Sequence, residues 1–294
     1  MFDISKLYEP KSVGEAVELL QKHPSAHILA GGSDLLLDIR DGKLAGAEIL
    51  SIYKLDELRG VDTEADGTIV IRPLTSFSRI EQNDIIRRHL PVLAEAAGTV
   101  GGPQIRNIGT VGGNVCNGVT SADCASTLFA YGAELELTGP DGIRNVPISA
   151  FYTGPGKVDL HPAELLTAIK VRQENYEGYS GKYIKYAMRN AMDISTLNCA
   201  VLCKLSGNKG VITDARIAFG VAAPIPMRCG NAEQHACGRL LSKQAIAEIV
   251  TEALQEITPR SSWRASKELR MQLAQELAIR ALTEAAQRAG GQIV

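Results

Sequence analysis

Gln104-Ile105-Arg106-Asn107-Ile108-Gly109-Thr110-Val111-Gly112-Gly113-Asn114-Val115-Cys116-Asn117-Gly118 is dense in glycine, asparagine and hydroxyl side chains, and it runs on through Thr120, Ser121 and Asp123. It contains no aliphatic run long enough for a core element, so it reads as a long loop. A loop of that length inside a compact domain is usually functional. Its backbone donors, three asparagines and several hydroxyls suit an extended polar ligand with phosphates and a sugar-alcohol chain. Upstream lies a second glycine turn, Ile28-Leu29-Ala30-Gly31-Gly32-Ser33-Asp34-Leu35. There a short strand runs into Gly-Gly and out into an apolar segment. Glycine admits positive φ and close approach of a ligand. Successive N–H groups then form an anion-binding concavity, to which Ser33 adds a hydroxyl.

No lysine follows that turn, and the chain has no G-x-G-x-x-G, so neither the ATP-type phosphate loop nor the usual dinucleotide fingerprint is present. Two separated anion turns suggest a ligand gripped from two sides, and a diphosphate such as FAD fits.

Outward from these turns the elements are short and mixed. Ser12 and Glu15 form a capping-box pair opening a helix to Gln21, and Ser78 and Glu81 form a second such pair. Residues 26–30, 48–52, 68–72 and 133–138 read as strands. Pro91 opens a helix with Val92, Leu93, Ala96 and Val100 on one face. Pro140-Asp141-Gly142 is a turn. After about residue 177 the pattern changes. Two long strands, 198–205 and 211–221, are joined by a turn holding Gly207, Asn208 and Gly210. Helices over 242–257 and about 265–288 follow, the last stopping at Gly290-Gly291. The order predicts an α+β chain: a two-lobed α/β domain over 1–177, with the lobes dividing near residue 60, then an antiparallel sheet covered by helices over 178–294.

The chain has 294 residues, 45% of them apolar and 22% charged. Those proportions are globular and disfavour a disordered tail, a coiled coil or an aromatic-rich single-strand binder. The net charge of −2 provides no global field for nucleic acid or an anionic membrane. Residues 1–150 carry 13 Lys/Arg against 20 Asp/Glu, and residues 151–294 carry 18 against 13, so the halves are of opposite sign. No export signal or bilayer-length apolar run is legible, and a cytoplasmic, reduced protein is expected.

The pair AGGSDLL and IRNIGTVGGNVCNG, in this order and separation, resembles the FAD-binding subunits of the molybdenum hydroxylases. Residues 153–157 (TGPGK), 185–189 (KYAMR) and 259–268 (PRSSWRASKE) point within that family to the xanthine dehydrogenase branch. The resemblance spans essentially the whole chain. It implies a vanillyl-alcohol-oxidase-like FAD domain of two lobes, followed by a CO dehydrogenase flavoprotein-like C-terminal domain. By this similarity the backbone of Ala30, Gly31, Gly32, Ser33 and Asp34 would cradle the pyrophosphate, with Leu29 before them also counted as cofactor-binding. Thr110, Gly113, Asn114 and Cys116 would line the flavin from the second turn. Asp123 would bond to ribityl or ribose hydroxyls, and Leu165 and Leu166 would pack near the adenine or flavin edge. Lys185 would stand near the flavin as a charge partner for its reduced form. Beyond the flavin no catalytic residue is expected.

The resemblance further implies two partner subunits, one holding a molybdenum cofactor and one holding [2Fe–2S] clusters, with NAD⁺ as the acceptor. Where eukaryotic members place an aromatic ring against the flavin, this chain has Val100. Their charged loop near the flavin matches the less charged stretch 189–194 here. The cysteine pairs 116/124, 199/203 and 229/237 match no cluster spacing, so no metal is expected on this chain. Related hydroxylases of aldehydes, nicotinate or CO use similar flavin subunits, and a stand-alone flavin oxidoreductase is the remaining alternative. No histidine or tyrosine is placed near either glycine stretch as a proton acceptor for that last role.

Overall fold

The computed structural model describes residues 2–294. Strand β1 (Ile4–Tyr8) leads to helix α1 (Val13–Lys22), which Ser12 caps by accepting the Glu15 N–H at 3.1 Å. Ala16, Val17 and Leu20 form the buried stripe of α1. Strand β2 (His27–Leu29), helix α2 (Leu35–Arg40) and strand β3 (Ala47–Ser51) complete a first lobe. β3 lies between β1 and β2, and both pairings are parallel. Parallel neighbours need crossover connections, and α1 and α2 supply them.

Strands β4 (Val61–Thr63) and β5 (Ile69–Ile71) open the second lobe. Helices α3 (Phe77–Gln82), α4 (Asp84–His89), α5 (Pro91–Gly98), α6 (Pro103–Ile108), α7 (Val111–Cys116) and α8 (Asp123–Ala130) follow. Then come β6 (Glu134–Gly139), β7 (Gly142–Pro147), α9 (Ile148–Phe151), the small hairpin of β8 (Tyr152–Gly154) and β9 (Lys157–Val158), and β10 (Leu165–Val171). The lobe's sheet runs β4-β5-β10-β6-β7 and is antiparallel throughout.

Two sequence expectations change here. Ser76, not Ser78, caps α3: its extended backbone lets its hydroxyl accept the Arg79 N–H, while Ser78 sits inside the helix and bonds Asn107. The stretch 104–118 is not one loop either. Pro103 starts α6, and Thr110 caps α7 by accepting the Gly113 N–H at 3.2 Å. Val111 and Val115, four residues apart on α7, are wholly buried in the lobe's core. That spacing is the helical signal masked by the surrounding glycines.

The C-terminal part is an antiparallel sheet of β11 (Ser180–Tyr186), β12 (Leu197–Leu205), β13 (Ile212–Gly220) and β14 (Met227–Arg228). It carries helices α10 (Gly230–Ala236), α11 (Lys243–Glu256) and α12 (Lys267–Arg288). β12 is buried on both faces. Cys199, Val201 and Cys203 share a core with α11 and α12, whereas Ala200 and Leu202 join the core of the second lobe. Burial on both sides explains its unbroken apolar sequence. A Cβ on Gly181 would come within 2.6 Å of Val92, so the bare glycine lets β11 lie against α5. Glu95 of the acidic half accepts Arg288 of the basic half at 2.6 Å, with Lys182 at 3.7 Å. The charge asymmetry of the sequence is thus partly spent across this seam. No described helix is long and apolar enough to cross a membrane.

Candidate functional site

The two glycine turns meet. A Cβ on Gly31 would overlap the Ile108 carbonyl oxygen and lie 2.8 Å from its carbon and 3.1 Å from the Gly109 Cα. Only glycine allows that backbone-to-backbone approach, and Gly32 beside it holds φ +76°, where a side chain strains. Asn117, at the far end of α7, donates to Asp34 at 2.7 Å and latches the turns together. Crowding by surrounding protein pushes the Asp34 carboxyl above its ordinary value; the Asn117 bond opposes this and the nearby Asp38 charge adds to it. Behind the second turn, Gly118 packs on the β8–β9 hairpin, where a Cβ would stand 2.9 Å from the Lys157 nitrogen. The 153–157 stretch therefore backs the site.

The turns differ in what they leave free. Among the described residues, no acceptor within the chain meets the N–H groups of Gly31, Gly32, Ser33 and Asp34. In the second turn the corresponding donors are spent: Val111 N–H bonds Thr75 O, Gly112 N–H bonds Pro73 O, and Asn114 N–H bonds Thr110 O. The Gly113 N–H is taken by the Thr110 hydroxyl. The row of unpaired N–H groups therefore lies at the first turn, and the second offers side chains and open space. A Cβ on Gly113 would meet nothing within 4 Å except the Thr110 hydroxyl at 3.0 Å. The Asn114 Oδ1 is buried without a partner, at a cost that a ligand donor would remove. Free N–H groups in a row, an open glycine face and an orphaned amide oxygen fit a dinucleotide diphosphate such as FAD.

Asp123 is nearly buried at the first turn of α8. Its Oδ1 accepts Tyr183 OH at 2.8 Å and Ser195 Oγ at 2.6 Å. Its Oδ2 accepts the Lys185 ammonium at 2.8 Å. Lys185 donates also to the Thr99 carbonyl at 3.1 Å, and its side chain is only 9% exposed. Lys185 is thus half of a buried ion pair with Asp123, a partner the sequence reading did not foresee, and Asp123 already serves three donors. Tyr183 and Ser195 were missed by sequence reasoning. Tyr183 had a signal, since residues two apart on a strand share a face; Ser195 had none. Asn117, also missed as a latch, lay inside the quoted motif.

The remaining candidates divide between the lobes. Leu29 ends β2 beside Ala30, and Ala30 packs on the first-lobe cluster that contains Leu165. Leu166 belongs to the second-lobe core with Val111 and Val115, against which Cys116 and Val100 pack. Burial pushes the Cys116 thiol up to about 12, far from the thiolate form. Among the six free cysteines, Cys237 alone is exposed. Iodoacetamide at pH 8 is therefore expected to modify Cys237 in the folded chain and Cys116 only after unfolding. Mass mapping of Cys116 alkylation in folded protein would overturn this. The raised thiol also sets a sign for alkaline pH. The unfolded chain releases this proton from about pH 9, so stability falls as pH rises from there toward 12.

The family model described as the FAD binding domain in molybdopterin dehydrogenase matches residues 2–172. That described as the CO dehydrogenase flavoprotein C-terminal domain matches residues 182–285. The xanthine dehydrogenase FAD-binding subunit of Escherichia coli O157:H7 is 44% identical over 293 residues, 100% of each chain. The glyceraldehyde dehydrogenase medium chain of Sulfolobus acidocaldarius is 32% identical over 94% of this chain and 96% of its own. A solved carbon monoxide dehydrogenase chain from Hydrogenophaga pseudoflava superposes with a TM-score of 0.92 at 31% identity, covering 98% of this chain and 99% of that one. With paired glycine turns, two matched domains and likeness along its full length, the chain belongs to the family of FAD-binding subunits of the molybdopterin dehydrogenases.

Proposed function

We propose that this chain is the FAD-binding electron-transfer subunit of a xanthine dehydrogenase-type molybdenum hydroxylase in the cytoplasm. In this reading a [2Fe–2S] subunit delivers electrons from a molybdenum subunit, and NAD⁺ receives them. The observation that carries the reading is the row of free N–H groups at Gly31–Asp34, set backbone to backbone against the Ile108–Gly109 segment. The 44% identity to a xanthine dehydrogenase FAD-binding subunit supports the branch. When bound, FAD supplies the exchange between single electrons from the clusters and a hydride to NAD⁺.

The chain's own residues bind and orient. The N–H groups of Gly31 to Asp34 neutralise the pyrophosphate without a lysine, and Ala30 and Leu29 fix the strand end that presents them. Thr110 holds the start of α7 so that Gly113 leaves its face open and Asn114 offers its amide oxygen. Cys116, Leu165 and Leu166 exclude water from the apolar edges. Asp123 keeps Lys185 in one place, with its charge paired. Residues 1–177 hold the cofactor and residues 178–294 close it in through β11.

The test is the visible spectrum of the purified chain with added FAD, then with NADH. Flavin bands that NADH bleaches are expected. Flavin bands that NADH leaves untouched would keep the cofactor and remove NAD⁺. A folded chain that never takes up FAD, alone or with its partner subunits, would sink the reading.

A further inference from the structure

Arg144 lies on the edge strand β7, and its guanidinium is spent on one loop, 159–164. Its Nε donates to Glu164 Oε1 at 2.7 Å and its Nη2 to Glu164 Oε2 at 2.8 Å. Nη1 donates to Asp159 Oδ2 at 2.9 Å, and Nη2 also reaches the Asp159 carbonyl at 2.7 Å. Glu164 is nearly buried and accepts the His161 N–H at 2.7 Å as well. Room for it is built in, since a Cβ on Gly139 at the end of β6 would come within 2.7 Å of the Glu164 Cγ. A guanidinium that meets a carboxylate with two parallel bonds fixes direction as well as distance. The loop is therefore gripped at both ends, at Asp159 and at Glu164.

Between those grips the backbone is strained. Ala163 holds φ +61°. A residue with a Cβ keeps that left-handed conformation only where its surroundings enforce it, whereas glycine takes it freely. The strained loop delivers β10 to the junction of the two lobes. Ala163 and Leu165 belong to the first-lobe cluster against which Ala30 packs, one residue before Gly31. Leu166, the next residue, enters the second-lobe core with Val111 and Val115 of α7, and α7 packs on β10. Successive strand residues point to opposite faces, so two adjacent leucines key one strand into both lobes. Just after them, between Leu166 and Ala168, the pairing of β10 with β6 shifts register. Such bulges re-aim side chains and recur beside binding sites.

We infer that Arg144, acting through Glu164, is a positioning residue for the FAD seat. It holds Ala163 in its left-handed conformation, so that Leu165 and Leu166 set the spacing of the two glycine turns. The inference rests on the proposed function and adds to it a residue that touches no cofactor yet governs its affinity. An ion pair that merely stabilised the second lobe would change the thermal midpoint and leave the affinity of the folded chain alone.

The experiment titrates FAD into the full-length chain by flavin fluorescence, at a temperature where circular dichroism shows each variant folded. Arg144→Met is expected to weaken FAD binding roughly 10-fold or more. Glu164→Gln, which keeps the volume and loses the charge, is the milder version should Arg144→Met not fold. Arg144→Lys keeps the charge without the fork and is expected to recover more of the midpoint than of the affinity. The deciding variant adds Ala163→Gly to Arg144→Met. Glycine takes the left-handed backbone unaided, so the double variant is expected to regain FAD affinity. Arg172→Met is the control: it removes the pair with Glu134 at the other end of β6 and β10 and is expected to leave affinity unchanged. Parent-like affinity in both Arg144→Met and Glu164→Gln would overturn the inference. So would a midpoint restored by Ala163→Gly with affinity still low, or an equal loss in the control. A parent chain that never binds FAD, alone or with its partner subunits, would instead defeat the proposed function.

Discussion

Gly31→Ala is expected to abolish FAD uptake and lower the thermal midpoint of the chain. The added Cβ would overlap the Ile108 carbonyl oxygen and stand 3.1 Å from the Gly109 Cα. Both obstacles are backbone, so neither can turn aside as a side chain would. Gly109 is itself hemmed in, since its N–H bonds Ile105 O and its carbonyl accepts the Phe77 N–H. Separating the turns would also stretch the Asn117–Asp34 latch. The expected cost is about 3 kcal/mol or more, the upper range for overpacking, or roughly 6–12 °C in midpoint. Two further alanines separate stability from binding. Gly14 lies in α1, where the nearest atom to a new Cβ is the Ser12 hydroxyl at 3.9 Å. Gly14→Ala should gain about 0.5–1 kcal/mol from helix propensity and leave FAD untouched. Gly113→Ala crowds only the Thr110 hydroxyl that caps α7, a side chain that must give by a few tenths of an ångström, while its methyl would enter the open face. FAD affinity should fall roughly 10-fold or more, with a midpoint shift small beside that of Gly31→Ala. Flavin fluorescence titration and differential scanning fluorimetry read both quantities. A Gly31→Ala chain that binds FAD like its parent would show that the turns do not form the seat.

Much of this site was legible because glycine is specific. Gly31-Gly32 and Gly112-Gly113 cannot be placed at random without entropic cost, and their pairing pointed to a ligand held from two sides. The helices from Ser12 and Ser242 and the strand read over 198–205 were legible for equally local reasons: a capping pair, an apolar stripe at helical spacing, and an apolar run bounded by turn residues. Reading failed where glycine and asparagine hid a helix, as at Val111–Cys116, whose two valines are too few to show a period. It failed also where the answer was a long-range partner. Nothing near Lys185 in sequence says that Asp123 neutralises it, because the pair is made only when β11 is laid on α5 and α8. Nor does any local pattern mark Arg270 as buried, since its position on α12 looks like an ordinary helix charge.

The buried pair has the second large consequence. Asp123→Ala would leave the Lys185 ammonium with the Thr99 carbonyl alone and strip Tyr183 and Ser195 of their acceptor. Removing one partner of a buried pair leaves an uncompensated charge, a loss of about 3–5 kcal/mol and roughly 6–20 °C in midpoint. Lys185→Met should cost less, because Asp123 keeps two hydroxyl donors. The double variant Asp123→Ala/Lys185→Met should be more stable than Asp123→Ala alone, since no charge is then stranded. That ordering is what separates an ion pair from two independent packing losses, and a thermodynamic cycle on the four proteins measures it. The pair also joins the parts of the chain: Asp123 sits on the second lobe, Lys185 and Tyr183 on the C-terminal sheet, and Ser195 on the loop before β12. A loss at Asp123 should therefore reach the flavin. The FAD affinity of Asp123→Ala is expected to fall along with its midpoint, and Lys185→Met should recover part of both when added to it. Equal midpoints for Asp123→Ala and its parent would sink the clamp. Additive losses in the double variant would keep the contacts but deny that they act as a pair.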